Sequence, residues 1–163
     1  MEYLDIINEK DEVIGTASME EAHQQKLPHR IVHIFIFNKE NKMALQLRSQ
    51  YKSFCPNHWC TPVGGHVRAG ETYEQAAFRE CKEELGVKLE ITSTHKDIYE
   101  DGLGNKLFLT TYKAITDGPF NINPEEVQKV EFFTLEQIQS MINSGEKFHP
   151  ELLFLLKKHF GIK

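Results

Sequence analysis

Glu80, Glu83 and Glu84 crowd into two helical turns of the stretch GGHVRAGETYEQAAFRECKEELGV, residues 64–87. Side chains three or four residues apart on a helix bring their Cβ atoms to ~5–6 Å. Two ionised carboxylates ~6 Å apart repel by ~0.7 kcal/mol in water and ~3 kcal/mol at an effective dielectric near 20. An exposed ion pair with Arg79 or Lys82 returns only ~0.3–0.5 kcal/mol. A solvated acidic face is the ordinary explanation of charged helix positions, but the helical wheel argues against it. At ~100° per residue, Tyr73, Ala77, Phe78, Cys81 and Leu85 form one apolar arc. Glu84 lies inside that arc, Glu80 just beyond its edge, and Glu83 further round beside Ala76. Arg79, Lys82 and Gln75 hold the polar face, and Glu74 shares the apolar arc only in the first turn, where it can splay outward. Half-buried carboxylates of this kind call for a hard cation with oxygen ligands. Mg²⁺ is the default, because it binds through a few carboxylates plus substrate phosphates.

The elements that position these residues can be read on either side. Gly64, Gly65 and Gly70 let a ligand or metal approach the main chain before the helix begins. Thr72 with Gln75 forms a capping box that starts the helix, and Gly86 ends it. Upstream, YLDIIN and VIGTAS form an N-terminal hairpin over about residues 3–18, and the Ser18/Glu21 capping box predicts a short helix from Met19 to Lys26, stopped by Pro28. Strands are expected at 31–38 and 43–50, followed by an irregular loop over 51–63. KLEITSTHKDIYE and LFLTTYKAIT read as two strands around the turn DGLGN, GPFNINPEEV as a loop and KVEFFT as a short strand. Thr134 with Gln137 caps a helix over LEQIQSMIN, and an amphipathic helix runs from Glu151 to Phe160. Mixed strands and helices with hairpins imply an α/β (α+β) fold, a mixed sheet flanked by helices in a single domain spanning 1–163.

The pattern of Gly65, Glu71, Arg79-Glu80, Glu83-Glu84, Gly86 and Val87 resembles the signature of the Nudix family, with residues 65–87 as the Nudix box. Cys81 departs mildly from the usual aliphatic residue. The resemblance implies an α/β/α sandwich and hydrolysis of a nucleoside diphosphate derivative or similar organic diphosphate with Mg²⁺ or Mn²⁺. It assigns metal ligation to Glu80 and Glu84, with Glu83 beside them, the Gly64 carbonyl as a further ligand, and Glu71 pairing with Arg79 or reaching metal through water. Catalytic roles fall to Glu80, Glu83 and Arg79. The general base is Glu80 or a loop glutamate, for which Glu125 and Glu126 are the candidates.

A wider stretch, HQQKLPHRIVHIFIFN, then LRSQYKSFCPNHW, then VGGH, is similar to the type I isopentenyl diphosphate isomerases, which are built on the same fold. That resemblance implies a second metal site at His23, His29 and His66. It also implies diphosphate binding by Arg48 and Lys52, with His66 nearby; Arg suits this as a bidentate fork. Isomerase chemistry itself is not expected. The position of its catalytic cysteine is Gly64, and NKLFLTTYK carries no acidic pair. His33 reads as a packing histidine, and Cys55, His58 and Cys60 are too few for a zinc site. Trp59 and Phe54 are left between base stacking and the core.

Composition agrees with this reading. A net charge of −5 argues against a general nucleic-acid binder. No apolar run approaches the ~20 residues of a membrane span, and the acidic, strand-like N-terminus lacks the basic start and apolar core expected of a signal peptide. Cys55, Cys60 and Cys81 suggest no disulfide framework, which fits a cytoplasmic location. The expected partner is a small-molecule diphosphate, with the N-terminal hairpin edge offering a surface for a homodimer.

Overall fold

The computed structural model describes residues 1–163. The chain begins with a hairpin of β1 (Tyr3–Ile7) and β2 (Val13–Ser18), followed by α1 (Met19–Gln24). Next come β3 (His29–Phe37), β4 (Met43–Arg48), β5 (Trp59–Cys60), β6 (Val63–His66) and α2 (Tyr73–Leu85). The chain continues through β7 (Thr92–Glu100), β8 (Lys106–Ile115) and β9 (Val127–Phe133) to α3 (Leu135–Asn143) and α4 (Pro150–His159). The seven-stranded sheet has the order β5-β4-β3-β8-β7, with β6 also pairing β3 and β9 pairing β4. β3 and β8 run parallel, and the other pairs are antiparallel.

β3 explains why the sheet is covered on both sides. Successive strand side chains point to opposite faces, and here both sets are apolar. Ile31 and Phe35 pack with Leu109, Trp59, Ile138, Leu152 and Leu155 against α3 and α4. Val32, Ile34 and Ile36 pack with Ala77, Cys81 and Leu85 on the α2 face. The result is the expected α/β/α sandwich with a mixed sheet. The three capping boxes form at Ser18, Thr72 and Thr134, and Gly86 closes α2 at φ 62°.

Several boundaries differ from expectation. The first helix stops at Gln24, because Lys26 turns left-handed at φ 55°. β3 starts two residues early, and β4 ends at Arg48. The stretch 51–63 is not wholly irregular: Trp59–Cys60 pairs with β4, and Val63 opens β6. The strand expected from Lys88 begins only at Thr92. The N-terminal hairpin docks on the loop before α2. Leu4 bridges Arg68, the Ala69 amide donates to the Tyr3 carbonyl at 2.8 Å, and the Gly70 amide donates to Asp5 Oδ2 at 2.9 Å.

Candidate active site

Glu84 projects from α2 into the sheet rather than into solvent and is only 8 % exposed. Its carboxylate accepts from Gln46 Nε2 and from the Gly64 amide at 3.3 Å. Burial, with Glu80 as a second cause, raises the Glu84 carboxyl well above its usual range. Burial also pushes Glu80 up to about 7, against the pull of Arg79. A Cβ placed on Gly65 would overlap the Glu80 carboxylate, so the side chain occupies space that only glycine leaves open. Glu83 is the outer member of the trio, its carboxylate held by Arg79 Nη1 at 3.3 Å.

Arg79 organises the outer part of this cluster. Its Nε and Nη2 clamp the two oxygens of Glu71 at 2.7 and 2.8 Å, Nη2 also donates to the His66 carbonyl at 2.9 Å, and Nη1 reaches Glu80 at 2.7 Å. The Glu71 hydrogen bond holds the guanidinium charged far above neutral pH. Burial pushes the Glu71 carboxyl up, but the Arg79 fork and the Arg68 amide outweigh it and hold Glu71 low. This fork ties the glycine loop to α2. Carboxylate oxygens and a glycine-exposed backbone form a donor set suited to a hard divalent cation. The raised affinity of Glu80 and Glu84 for a proton is what uncompensated, closely spaced acids would show.

Beside these acids a cleft of about 560 Å³ is lined by Tyr51, Lys52, Ser53, Glu125 and Glu126. Lys52 is ion-paired to Glu126, and Glu126 lies close enough to Glu84 to raise it further. Glu125 is exposed. Arg48 spends its donors on loop carbonyls, with Nη2 2.8 Å from Phe54 O and Nε 3.1 Å from Cys55 O. Trp59 belongs to the core, with its ring edge-on to Phe133, while Phe54 is 60 % exposed at the loop surface.

The histidines gather on the other face of the sheet. His66 pairs with Ile31 across β6 and β3, so its side chain shares the α4 face with His29. His23, from α1, places Nε2 3.2 Å from His66 Nε2. Ligand atoms of His23, His29 and His66 all lie within 4.8 Å of one another. The His29 Nδ1–H donates to the Leu27 carbonyl at 2.7 Å, which leaves Nε2 with a lone pair; that atom is buried and without a partner. Burial lowers His29 and takes His66 down to about 3, keeping both rings neutral, as metal ligation requires. Strand β6 therefore separates an oxygen-rich cluster from a nitrogen-rich one.

Sequence reasoning missed Gln46, Thr61 and Glu151. Gln46 is a polar residue at an inward position of MALQLR, a local signal that was available. Glu151 offered none, because its partner His33 is 118 residues away.

Comparison with known proteins gives the same picture. A model of the NUDIX domain matches residues 27–156. The chain is 32% identical to an uncharacterized Nudix hydrolase of Listeria monocytogenes, lmo0368, over 170 aligned residues, covering all of this chain and 96% of the relative. It is 32% identical to the Nudix hydrolase YfcD of Escherichia coli K12, covering 93% and 83% of the two chains. The crystal structure of DR0079 from Deinococcus radiodurans superposes with a TM-score of 0.86 at 30% identity, covering 96% and 98%. Family match, full-length relatives, fold and the Glu71–Arg79–Glu80–Glu84 arrangement converge: this chain belongs to the Nudix family and is a Nudix hydrolase.

Proposed function

We propose that the protein is a Mg²⁺- or Mn²⁺-dependent hydrolase of a diphosphate linkage in a nucleoside diphosphate derivative or similar organic diphosphate. The observation that carries this reading is the burial of Glu84 beside Glu80 against the Gly64–Gly65 backbone. Glu80, Glu84 and the Gly64 carbonyl would hold the cation, with Glu83 at its rim and Glu71 bracing Arg79. A divalent cation there supplies Lewis acidity, polarising phosphoryl oxygen and acidifying the attacking water. Lys52 supplies positive charge toward the diphosphate, with Arg48 shaping the same loop. Glu126 takes the proton in preference to Glu125, since it lies nearer Glu84 and leaves its ion pair once Lys52 turns to phosphate.

We further assign His23, His29 and His66 to a second metal site, which supports placing the chain in the isomerase-like branch of the family. Isomerase activity remains disfavoured. A Cβ at Gly64 would stand 3.1 Å from Thr61 Oγ1 and 3.2 Å from His33 Nδ1, so a cysteine there would crowd both side chains. The test is a hydrolysis screen with Mg²⁺ or Mn²⁺ against nucleotide sugars, dinucleoside polyphosphates, NADH, ADP-ribose, CoA and nucleoside triphosphates, with products identified to locate the bond cut. Turnover of one class, lost in Glu84→Gln, supports the reading. No turnover of any class, with cation affinity unchanged in Glu84→Gln, overturns it. Deuterium uptake from solvent into isopentenyl diphosphate would favour the isomerase instead.

A further inference from the structure

A buried polar chain crosses the α4 side of the sheet and plays no part in the chemistry above. Glu151, in the first turn of α4, places Oε1 3.0 Å from His33 Nε2. His33 Nδ1 lies 2.7 Å from Thr61 Oγ1, and the Thr61 hydroxyl donates to the Val63 carbonyl at 3.1 Å. All three residues are buried. With the Thr61 proton given to Val63, His33 Nδ1–H is the donor toward Thr61, and the other ring nitrogen faces the acid. Acid, imidazole and hydroxyl in this order resemble a nucleophilic triad. Thr61 is 1 % exposed, however, and its proton is already committed, so no substrate reaches it. Stability alone is a poor explanation, since exchanging buried hydrogen-bonded partners for apolar groups of the same shape is often neutral or favourable.

The position of the relay suggests its role. His33 sits directly opposite Gly64 in the β3–β6 ladder. A Cβ on Gly64 would stand 3.1 Å from Thr61 Oγ1, 3.2 Å from His33 Nδ1 and 3.4 Å from the Val32 carbonyl, so the relay lies against the Gly64 backbone. The amide of the same residue donates to Glu84 at 3.3 Å. The segment Thr61–Gly65 is thus held from the α4 face by Glu151 and His33 and from the α2 face by Glu84 and Gln46, the latter donating to the Pro62 carbonyl at 2.8 Å.

We propose that Glu151, His33 and Thr61 are positioning residues for the divalent-cation site. They fix the Gly64 peptide from behind, so that its carbonyl stands ready beside Glu80 and Glu84. The inference rests on the reading that these two glutamates and Gly64 hold the cation. Partners of this indirect kind carry roughly 10–100-fold in metal affinity where they have been altered.

The test is Mn²⁺ binding to the full chain without substrate, followed by the paramagnetic resonance of free Mn²⁺. Comparison with Glu84→Gln defines the Glu84-dependent component. Glu151→Gln and Thr61→Val are compared with Leu155→Ala, which opens a cavity one turn along the same helix while removing no hydrogen-bonding group of the relay. The expected result is an affinity about 10-fold weaker in Glu151→Gln and in Thr61→Val, with Leu155→Ala within twofold of wild type despite a lower Tm. Should Glu151→Gln fail to fold, Thr61→Val, which keeps the side-chain shape, decides alone. Wild-type affinity in the folded relay variants overturns the proposal, and so does equal weakening in Leu155→Ala, which would mean general loosening. Failure of the underlying reading looks different: Glu84→Gln would then bind Mn²⁺ as tightly as wild type.

Discussion

Burying Glu84 next to Glu80 costs folding free energy, because a desolvated carboxylate must either keep its proton or find a counter-charge. Glu84→Gln should relieve that cost while retaining a carbonyl to accept from the Gly64 amide. The expected outcome is a higher Tm by about 2–4 °C, the shift that ~1 kcal/mol produces in a domain of this size. The same variant should lose roughly 10²-fold or more in kcat; paired thermal scans and assays check both. Gly65→Ala tests the neighbouring contact. The added methyl would overlap the Glu80 carboxylate, a flexible end that can swing away. The fold should survive, within about 1 kcal/mol by denaturant titration, while activity drops along with Glu80's position. At this scale the sequence was most informative where partners are close in the chain. Glu71, Arg79, Glu80, Glu83 and Glu84 share one loop and one helix, so spacing alone brought them together. Gln46 and Glu84 are 38 residues apart, and His33 and Glu151 are 118 apart. Such pairs depend on strand register and helix docking, which no local pattern encodes.

Helix starts were legible because each capping box is a four-residue code with its own hydrogen bonds, and all three formed at Ser18, Thr72 and Thr134. Thr72→Ala removes the acceptor for the Gln75 amide at the head of α2. About 1 kcal/mol of stability should be lost, seen as a lower denaturant midpoint with an unchanged m-value. The short strands were less legible. Trp59–Cys60 has too few residues for alternation to register, and Cys55 and Asn57 just before it turn left-handed without being glycine. Missing the start of β6 also hid which face Gly64 presents. With β6 in place, Gly64→Cys becomes a pointed experiment on this strand: the thiol would press on the His33–Thr61 hydrogen bond. The expected result is lower stability by ~1–3 kcal/mol, as for overpacking elsewhere, and no deuterium uptake into isopentenyl diphosphate.

Across the whole molecule, the sandwich is closed by α4, which runs from Glu151 under the central strand to an ion cluster at the sheet edge. There Asp97 of β7 receives Lys158 Nζ and His159 Nε2, each at 2.8 Å, and His95 stacks on His159 at 3.7 Å. Burial alone would raise the Asp97 carboxyl, but the hydrogen bonds from Lys158 and His159 outweigh it and hold it below the ordinary 3.8. A depressed carboxylate stabilises the fold fully above its unfolded value and loses that contribution as pH falls through the folded one. Asp97→Asn should therefore be less stable than wild type at pH 7 by roughly 1.5–3 kcal/mol, the range for hydrogen bonds to charged groups. The gap should stay nearly intact down to about pH 3.8 and narrow only as pH falls toward the lower value Asp97 has in the fold, which urea titrations at pH 7, 4 and 3 would reveal. The sandwich was legible through the Nudix resemblance and the mixed order of strands and helices, and the two apolar sets of β3 show why the sheet needs a cover on each side. The meeting of α4 with β7 was not, because Asp97 and His159 are 62 residues apart and no local pattern pairs them. One residue also deserves separate treatment in any mutational survey. His66 turns its ring toward His23 and His29 but lends its carbonyl to Arg79. Truncating that side chain is a double lesion, felt by the imidazole group directly and by the arginine clamp through a shifted main chain. His23, which touches one group alone, is the cleaner position for silencing the histidines without disturbing the acids.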